Sequence, residues 1–220
     1  MSQDGSETTS TDARLRMVRR QLSRRGIDDE RVLAAMAEVP RERFVPEALR
    51  GRAYRDSALR IGEGQTISQP WIVACMAQLL ELQGHERVLE VGTGSGYAAA
   101  VLSRLCAEVV TIERFHTLAQ EAQRTLAELG YDNVEVRHGD GTLGAPDRAP
   151  FEAISVTATA AGDPPRALVD QLAPGGTLVC PVERETGEFL VRLRNGVEEP
   201  IAGVRFVPLV PAEEPGEEEE

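Results

Sequence analysis

The run Val88-Leu89-Glu90-Val91-Gly92-Thr93-Gly94-Ser95-Gly96-Tyr97 decides the fold. Apolar residues around a single carboxylate read as a short buried strand, the glycines as a tight turn, and Tyr97 to Leu105 as an alanine-rich helix. Glycine is needed in such a turn because a Cβ would block close approach of the backbone to a ligand, and because the turn demands φ values that other residues avoid. The spacing then discriminates between ligands. A dinucleotide fingerprint begun at Gly92 requires glycine at position 97, which is Tyr97, so the pattern is acid-x-G-x-G-x-G and dinucleotide binding is disfavoured. The carboxylate of Glu90 attracts an ammonium group and repels a pyrophosphate, so the expected ligand carries a cation there.

Working outward, strand and helix patterns alternate from Gly62 onward, the signature of an α/β, doubly wound, mostly parallel sheet. After the 87–91 strand, further strands are expected at 109–113, 134–138, 152–157 and 177–182. Helices are expected at 116–129, ended by Gly130, and from Pro164-Pro165 to Leu172, with Gly175-Gly176 turning the chain. Phe189–Arg194 and Val204–Val210 alternate apolar and polar residues, with Asn195-Gly196 as a turn signal, so an antiparallel C-terminal strand pair should close the sheet edge. Glu113 ends the second strand, where α/β nucleotide binders place an acid for the ribose hydroxyls. Gly139-Asp140-Gly141 brings a third acid to the carboxyl edge. Three acids at successive strand ends beside a glycine turn suit S-adenosylmethionine, whose adenosine, amino-acid group and sulfonium match those requirements.

Upstream the charge changes sign. The chain holds 24 basic against 36 acidic side chains, a net charge of −12, which argues against nonspecific nucleic-acid binding. All the basic residues are arginine, and lysine is absent. Acid excess with lysine loss is expected of a halophilic protein, kept soluble in concentrated salt where the Debye length falls to roughly 3 Å. Between Arg14 and Arg60, however, 13 arginines face seven acids. This stretch should form an N-terminal helical extension: an arginine-rich helix from about Leu15 to Arg25, then one capped by Asp28 or Asp29, with Val32, Leu33, Met36 and Val39 at helical spacing until Pro40. It reads as a solvated basic face docked on an acidic body, or as a contact for a negatively charged substrate.

The expected organisation is an acidic disordered tail over 1–13, the helical segment 14–61, the binding domain 62–211 and a second acidic disordered tail over 212–220. Cys75, Cys106 and Cys180 are odd in number and far apart, which suits core thiols rather than a disulfide framework or a metal site. His85, His116 and His138 read as structural or exposed. The N-terminus lacks the basic and apolar regions of a secretory signal, and no run of about 18 apolar residues occurs, so a cytoplasmic protein without membrane contact is expected.

Gly62-Glu63-Gly64-Gln65-Thr66-Ile67-Ser68-Gln69-Pro70 precedes the first strand, and Pro70 opens an apolar helix running to about Leu82. Taken alone, Thr66 and Ser68 are either helix-entrance hydroxyls or lid residues of the adjoining site. The run GQTISQP, followed in order by LEVGTGSGYAAAVL, IER, NVEVRHGDG, APF, VTA and LVCPV, closely resembles the protein-L-isoaspartate O-methyltransferases over residues 14–210. The resemblance implies methylation of the free α-carboxyl of L-isoaspartyl residues in damaged proteins by S-adenosylmethionine, leaving S-adenosylhomocysteine. The ester then collapses to a succinimide. It implies Ser68 as the active-site residue, with Thr157 and Ala158 beside the substrate. Cofactor positions on the same basis are Thr66, Ile67, Glu90, Gly92, Thr93, Gly94, Ser95, Gly96, Glu113, Asp140 and Gly141.

Two positions depart from the family pattern on the substrate side: Arg60 stands where LPIG is usual, and Thr159 interrupts a run of alanines. The acidic C-terminal tail has no counterpart in that pattern. Because a carboxylate with a reference pKa near 3.5 is already ionised at pH 7, no catalytic base is expected. Isoaspartyl proteins and peptides are the expected partners, of a monomer. The competing readings are a methyltransferase acting on a small molecule or tRNA, and a non-catalytic binder of damaged proteins.

Overall fold

The computed structural model describes the backbone of residues 4–211 and the side chains of residues 10–211. Its centre is a seven-stranded sheet in the order β5-β4-β3-β6-β7-β8-β9. The strands are β3 (Arg87–Val91), β4 (Glu108–Glu113), β5 (Val134–His138), β6 (Phe151–Val156), β7 (Leu172–Arg184), β8 (Gly187–Arg194) and β9 (Val197–Gly203). β3 to β7 pair in parallel, while β7, β8 and β9 pair antiparallel. From β3 the chain winds outward through β4 and β5, then returns to add β6 on β3's other side. The carboxyl ends of β3, β4 and β6 therefore flank a topological switch point, where open α/β sheets bind ligands.

Both sheet faces are covered, which is why the parallel strands are nearly continuous apolar runs. Val88, Val109, Ala153, Val179 and Leu190 join one core cluster. Their neighbours Leu89, Val110, Ile154, Leu178 and Val191 join the other, on the opposite face. The first cluster also takes in Met17, Leu22, Val32, Met36 and Phe44, so segment 14–61 shares its core with the sheet. Among the described residues six α-helices surround the strands: α1 (Asp4–Met17), α2 (Glu30–Glu38), α3 (Pro70–Leu79), α4 (Tyr97–Leu102), α5 (His116–Glu128) and α6 (Arg166–Val169). A two-stranded hairpin, β1 (Leu59–Arg60) and β2 (Thr66–Ile67), stands before α3.

The N-terminal elements follow local signals. Asp29 Oδ1 accepts from the amides of Arg31 (2.8 Å) and Val32 (3.2 Å), and α2 ends two residues before Pro40. Arg31 reaches across to the carbonyls of Leu82 and Leu105, and Glu38 pairs with Arg104 at 2.9 Å. Helical backbone begins at Asp4, inside the stretch expected to be a disordered tail to residue 13. It continues through a π turn (Val18–Leu22) that buries Met17, Val18 and Leu22, and this docking anchors the helix. The expected tail over 212–220 lies outside the described residues.

The C-terminal pair differs from the sequence reading. Asn195 and Gly196 hold φ values of +52° and +74°, so the two-residue turn folds Val197–Gly203 back on β8 at once. Val204–Val210, expected to be that strand, instead crosses the carboxyl edge of the sheet. There Thr159 N donates to Val207 O (2.8 Å) and Leu209 N to Thr159 O (2.7 Å). β9 escaped notice because most of it is exposed, so it carries no apolar alternation, and because Pro200 is tolerated only in an edge strand. β7 also begins earlier than expected, passing through Gly175-Gly176, and α6 is confined to one turn.

Cys75, Cys106 and Cys180 are all buried and unpaired by disulfides. Burial pushes their thiols up, to about 11 for Cys75 and about 12 for the other two. Among the described residues no helix is long and apolar enough to cross a membrane.

Candidate active site

The glycine turn after β3 is fixed by its neighbours on both sides. Gly92 N donates to Ile112 O of β4 at 2.8 Å, and Gly94 N donates to Glu113 Oε2 at 2.8 Å. On the other flank Thr157, which follows β6, donates its amide to Val91 O at 2.8 Å. Its hydroxyl lies within hydrogen-bonding distance of Val91 O (3.0 Å) and Gly92 O (2.7 Å). Gly92 has φ +96°, and a Cβ on it would stand 2.3 Å from Thr157 Oγ1, so no other residue fits.

The sequence reading gave all three glycines of this turn to the ligand; their surroundings divide the roles. Gly92 and Gly94 line the cavity. Gly96, with φ +85°, does not: a Cβ there would press on Leu126 and Ala122 of α5 at 3.2 and 3.3 Å, so its smallness serves helix packing. Similarly Gly141 lines the cavity, and a Cβ on it would meet Val91 Cγ1 at 2.5 Å.

The cavity has three joined regions, all of them touched by Thr66 and Thr157. One, about 790 Å3 in volume, runs from Gly92 and Gly94 along Glu113 and Phe115 to Gly141 and Ala158, and Val207–Val210 form its far wall. The second holds Ile67, Ser68, Thr93 and Ser95 against apolar side chains from α3 and α4. The third opens outward past Ser68, Gln69, Trp71 and Phe206. Ser68 thus stands where the second region meets the third, half-buried, and its hydroxyl has no hydrogen-bond partner among the described residues. Its carbonyl oxygen is held at 2.8 Å by Nη2 of the wholly buried Arg41, whose Nε donates to Ala53 O.

Two carboxylates sit at the ends of adjacent strands in different states. Glu113 is on the cavity surface, its two oxygens accepting from the amides of Gly94 and Phe115. Lone pairs remain for ribose hydroxyls. Glu90 lies one layer back and does not line the cavity. It is wholly buried; Thr111 donates to its Oε2 at 2.6 Å, Thr93 Oγ1 lies 2.7 Å from Thr111 Oγ1, and its Oε1 has no partner. Burial pushes this carboxyl up to about 8; the Thr111 bond opposes the shift and the nearby charge of Glu113 adds to it. Asp140 is also off the cavity, its Oδ1 accepting from the Thr142 amide and hydroxyl to cap a short turn.

S-adenosylmethionine fits this donor set. Glu113 faces the cavity to accept hydroxyls, Val91, Ile112 and Phe115 offer apolar surface for an adenine ring, and Glu90, one layer behind the glycine turn, keeps one oxygen without a partner. The profile of the protein-L-isoaspartate(D-aspartate) O-methyltransferase family matches residues 13–214. The chain belongs to the protein-L-isoaspartate O-methyltransferase family. Protein-L-isoaspartate O-methyltransferase 1 of Syntrophobacter fumaroxidans is 56% identical over 204 residues, covering 90% of this chain and 94% of that one. The enzyme of Herpetosiphon aurantiacus is 54% identical over 203 residues, 90% of each. Among solved structures, a protein-L-isoaspartate O-methyltransferase superposes with a TM-score of 0.76 at 29% identity, over 90% of this chain and 65% of that one. A Plasmodium falciparum structure, described as a family member in complex with S-adenosyl-L-homocysteine, gives 0.79 at 27% identity, over 90% and 98%.

Within this methyltransferase the sequence reading missed Gln65, Ile112, Phe115 and the 207–210 wall. The signal for that wall was Thr159. Its hydroxyl donates to Glu188 Oε2 at 2.7 Å, and the same oxygen accepts from Phe206 N at 3.1 Å. A residue that breaks the alanine run thereby ties the crossing segment to β8.

Proposed function

We propose that this enzyme methylates the free α-carboxylate of L-isoaspartyl residues in damaged proteins, with Ser68 aiming the acceptor and Glu90, Glu113 and the 92–95 turn holding the cofactor. The observation that carries the reading is the unpartnered Ser68 hydroxyl at the junction of the cofactor-side cavity and the outward-opening one. When bound, S-adenosylmethionine supplies a methyl group on a cationic sulfur. The acceptor carboxylate is already ionised, so the chain needs to orient it rather than deprotonate it. Ser68 donates the orienting hydrogen bond, and Arg41 fixes the backbone that carries it. Val73, Met76, Ala77, Val101 and Leu102 keep water from the point where opposite charges meet and cancel. Thr157 locks the glycine turn from the substrate side, with Ala158 next to it.

We infer a cytoplasmic monomer adapted to concentrated salt; the acid excess and the absence of lysine support the salt adaptation. Labelled methyl counts on an isoaspartyl peptide, its normal aspartyl twin and bulk tRNA test the reading, repeated from low to multimolar potassium chloride. Incorporation into the isoaspartyl peptide alone, maintained at high salt, is expected. Incorporation into tRNA, or binding of the peptide without turnover, would overturn it.

A further inference from the structure

Away from the active site, the C-terminal half of α1, the π turn, Pro40–Arg43 and the 50–55 loop enclose a wide groove. Arg14, Arg16, Arg20, Arg50 and Arg55 line it, and none of them makes an ion pair among the described residues. Arg14 Nε is buried without a hydrogen-bond partner. Glu42 is the one acid among the lining residues, and its carboxylate already accepts from the Tyr54 hydroxyl. In a chain of net charge −12, five guanidinium groups without an ion-pair partner among the described residues, gathered in one concavity, are a site for an extended polyanion.

The same chain carries one. Residues 212–220, Ala-Glu-Glu-Pro-Gly-Glu-Glu-Glu-Glu, hold six carboxylates and no cation. Val207–Val210, at the end of the described chain, wall the cavity that Phe115 also lines at the N-terminal end of α5, while Arg43 on the groove wall lies 3.7 Å from Glu128 at the other end of that helix. Thirteen helical residues span about 20 Å, and nine extended residues reach about 30 Å, so the tail is longer than the helix that separates these two ends. We propose that residues 212–220 dock in the arginine groove of their own chain, as an electrostatic tether that concentrated salt releases.

The test uses a fluorescein-labelled peptide of sequence PAEEPGEEEE, followed by anisotropy, with the full chain and with a chain ending at Pro211. The shortened chain should bind the peptide at least tenfold more tightly than the full chain, whose own tail occupies the groove. Binding should weaken steadily as potassium chloride rises. In the shortened chain, Arg16→Gln, Arg20→Gln and Arg55→Gln together should weaken binding at least tenfold, with an unchanged circular dichroism spectrum. If that variant fails to fold, the comparison of full and shortened chains decides alone. Equal peptide binding by the two chains, or groove-dependent binding of bulk tRNA with none of the peptide, would overturn the proposal.

Discussion

Arg41, without any exposed surface, donates through Nη2 to the carbonyl oxygen of Ser68 at 2.8 Å and stacks over the Tyr97 ring with 4.7 Å between guanidinium carbon and centroid. The loop bearing the Ser68 hydroxyl is thereby pinned to the floor of the N-terminal core. Burial holds the Arg41 guanidinium below its ordinary value, while Tyr97 counters that shift. Lysine cannot bridge both Ala53 O and Ser68 O with a rigid fork. Arg41→Lys should therefore lower Tm and also cut kcat for an isoaspartyl peptide by about tenfold, with little change in S-adenosylhomocysteine affinity. A kcat that stays at the parent value would mean the loop holds itself.

Ser68→Ala removes the hydroxyl alone. Loss of one hydrogen bond to a charged group costs about 1.5 to 3 kcal/mol in the transition state, roughly ten- to a hundredfold in rate. Calorimetry should show unchanged cofactor-product affinity and an unchanged melting curve. An undiminished turnover number refutes the assignment.

Thr159 Oγ1, Glu188 and the amide of Phe206 form a clasp on the segment that walls the cavity along Glu113. These two bonds, the Thr159 one foremost, hold the Glu188 carboxyl below its usual value. A depressed carboxyl contributes stability above its ordinary pKa, and that contribution is lost as pH falls through the lowered value. At pH 7 the clasp is intact. Thr159→Ala, which restores the alanine usual in the family, should weaken cofactor binding about fivefold, the worth of roughly 1 kcal/mol. Isothermal titration with S-adenosylhomocysteine reads it directly.

Glu90 should make cofactor binding pH-dependent. Its carboxyl, raised to about 8 in the fold against an ordinary 4.5, keeps a proton that the unfolded chain has released. Folding stability therefore falls as pH rises across that window, and Glu90→Gln should flatten the slope. A ligand ammonium favours the ionised form, so affinity for S-adenosylhomocysteine should increase from pH 6 to pH 8 with release of a proton. The same affinity at both pH values, with no proton released, would show that Glu90 does not face the cation.

What the sequence made readable was local. A cap at Asp28 or Asp29, Pro70 as a helix opener and the Gly92-to-Gly96 turn are each decided within a few residues, and the fold keeps all three, with Asp29 as the cap. Glu113 was legible because its place at a strand end follows from the βα rhythm. What failed needed long-range neighbours. A Gly96 pressed against α5 and a Gly92 pressed against Thr157 look alike in a motif, and only the fold assigns them different partners. Asp140 has a capping duty at close range that competes with any ligand duty. The alternation in Val204–Val210 was real but belonged to a segment with one side toward a cavity, not to a strand in the sheet.

The three interior sulfhydryls carry a practical consequence. With Cys180 wholly buried, Cys75 and Cys106 nearly so and all three thiolates disfavoured, alkylating reagents and mild oxidants should mark opened molecules far faster than folded ones. Thiol trapping at a fixed pH therefore follows excursions from the native state across salt concentrations, without an added dye or an engineered reporter.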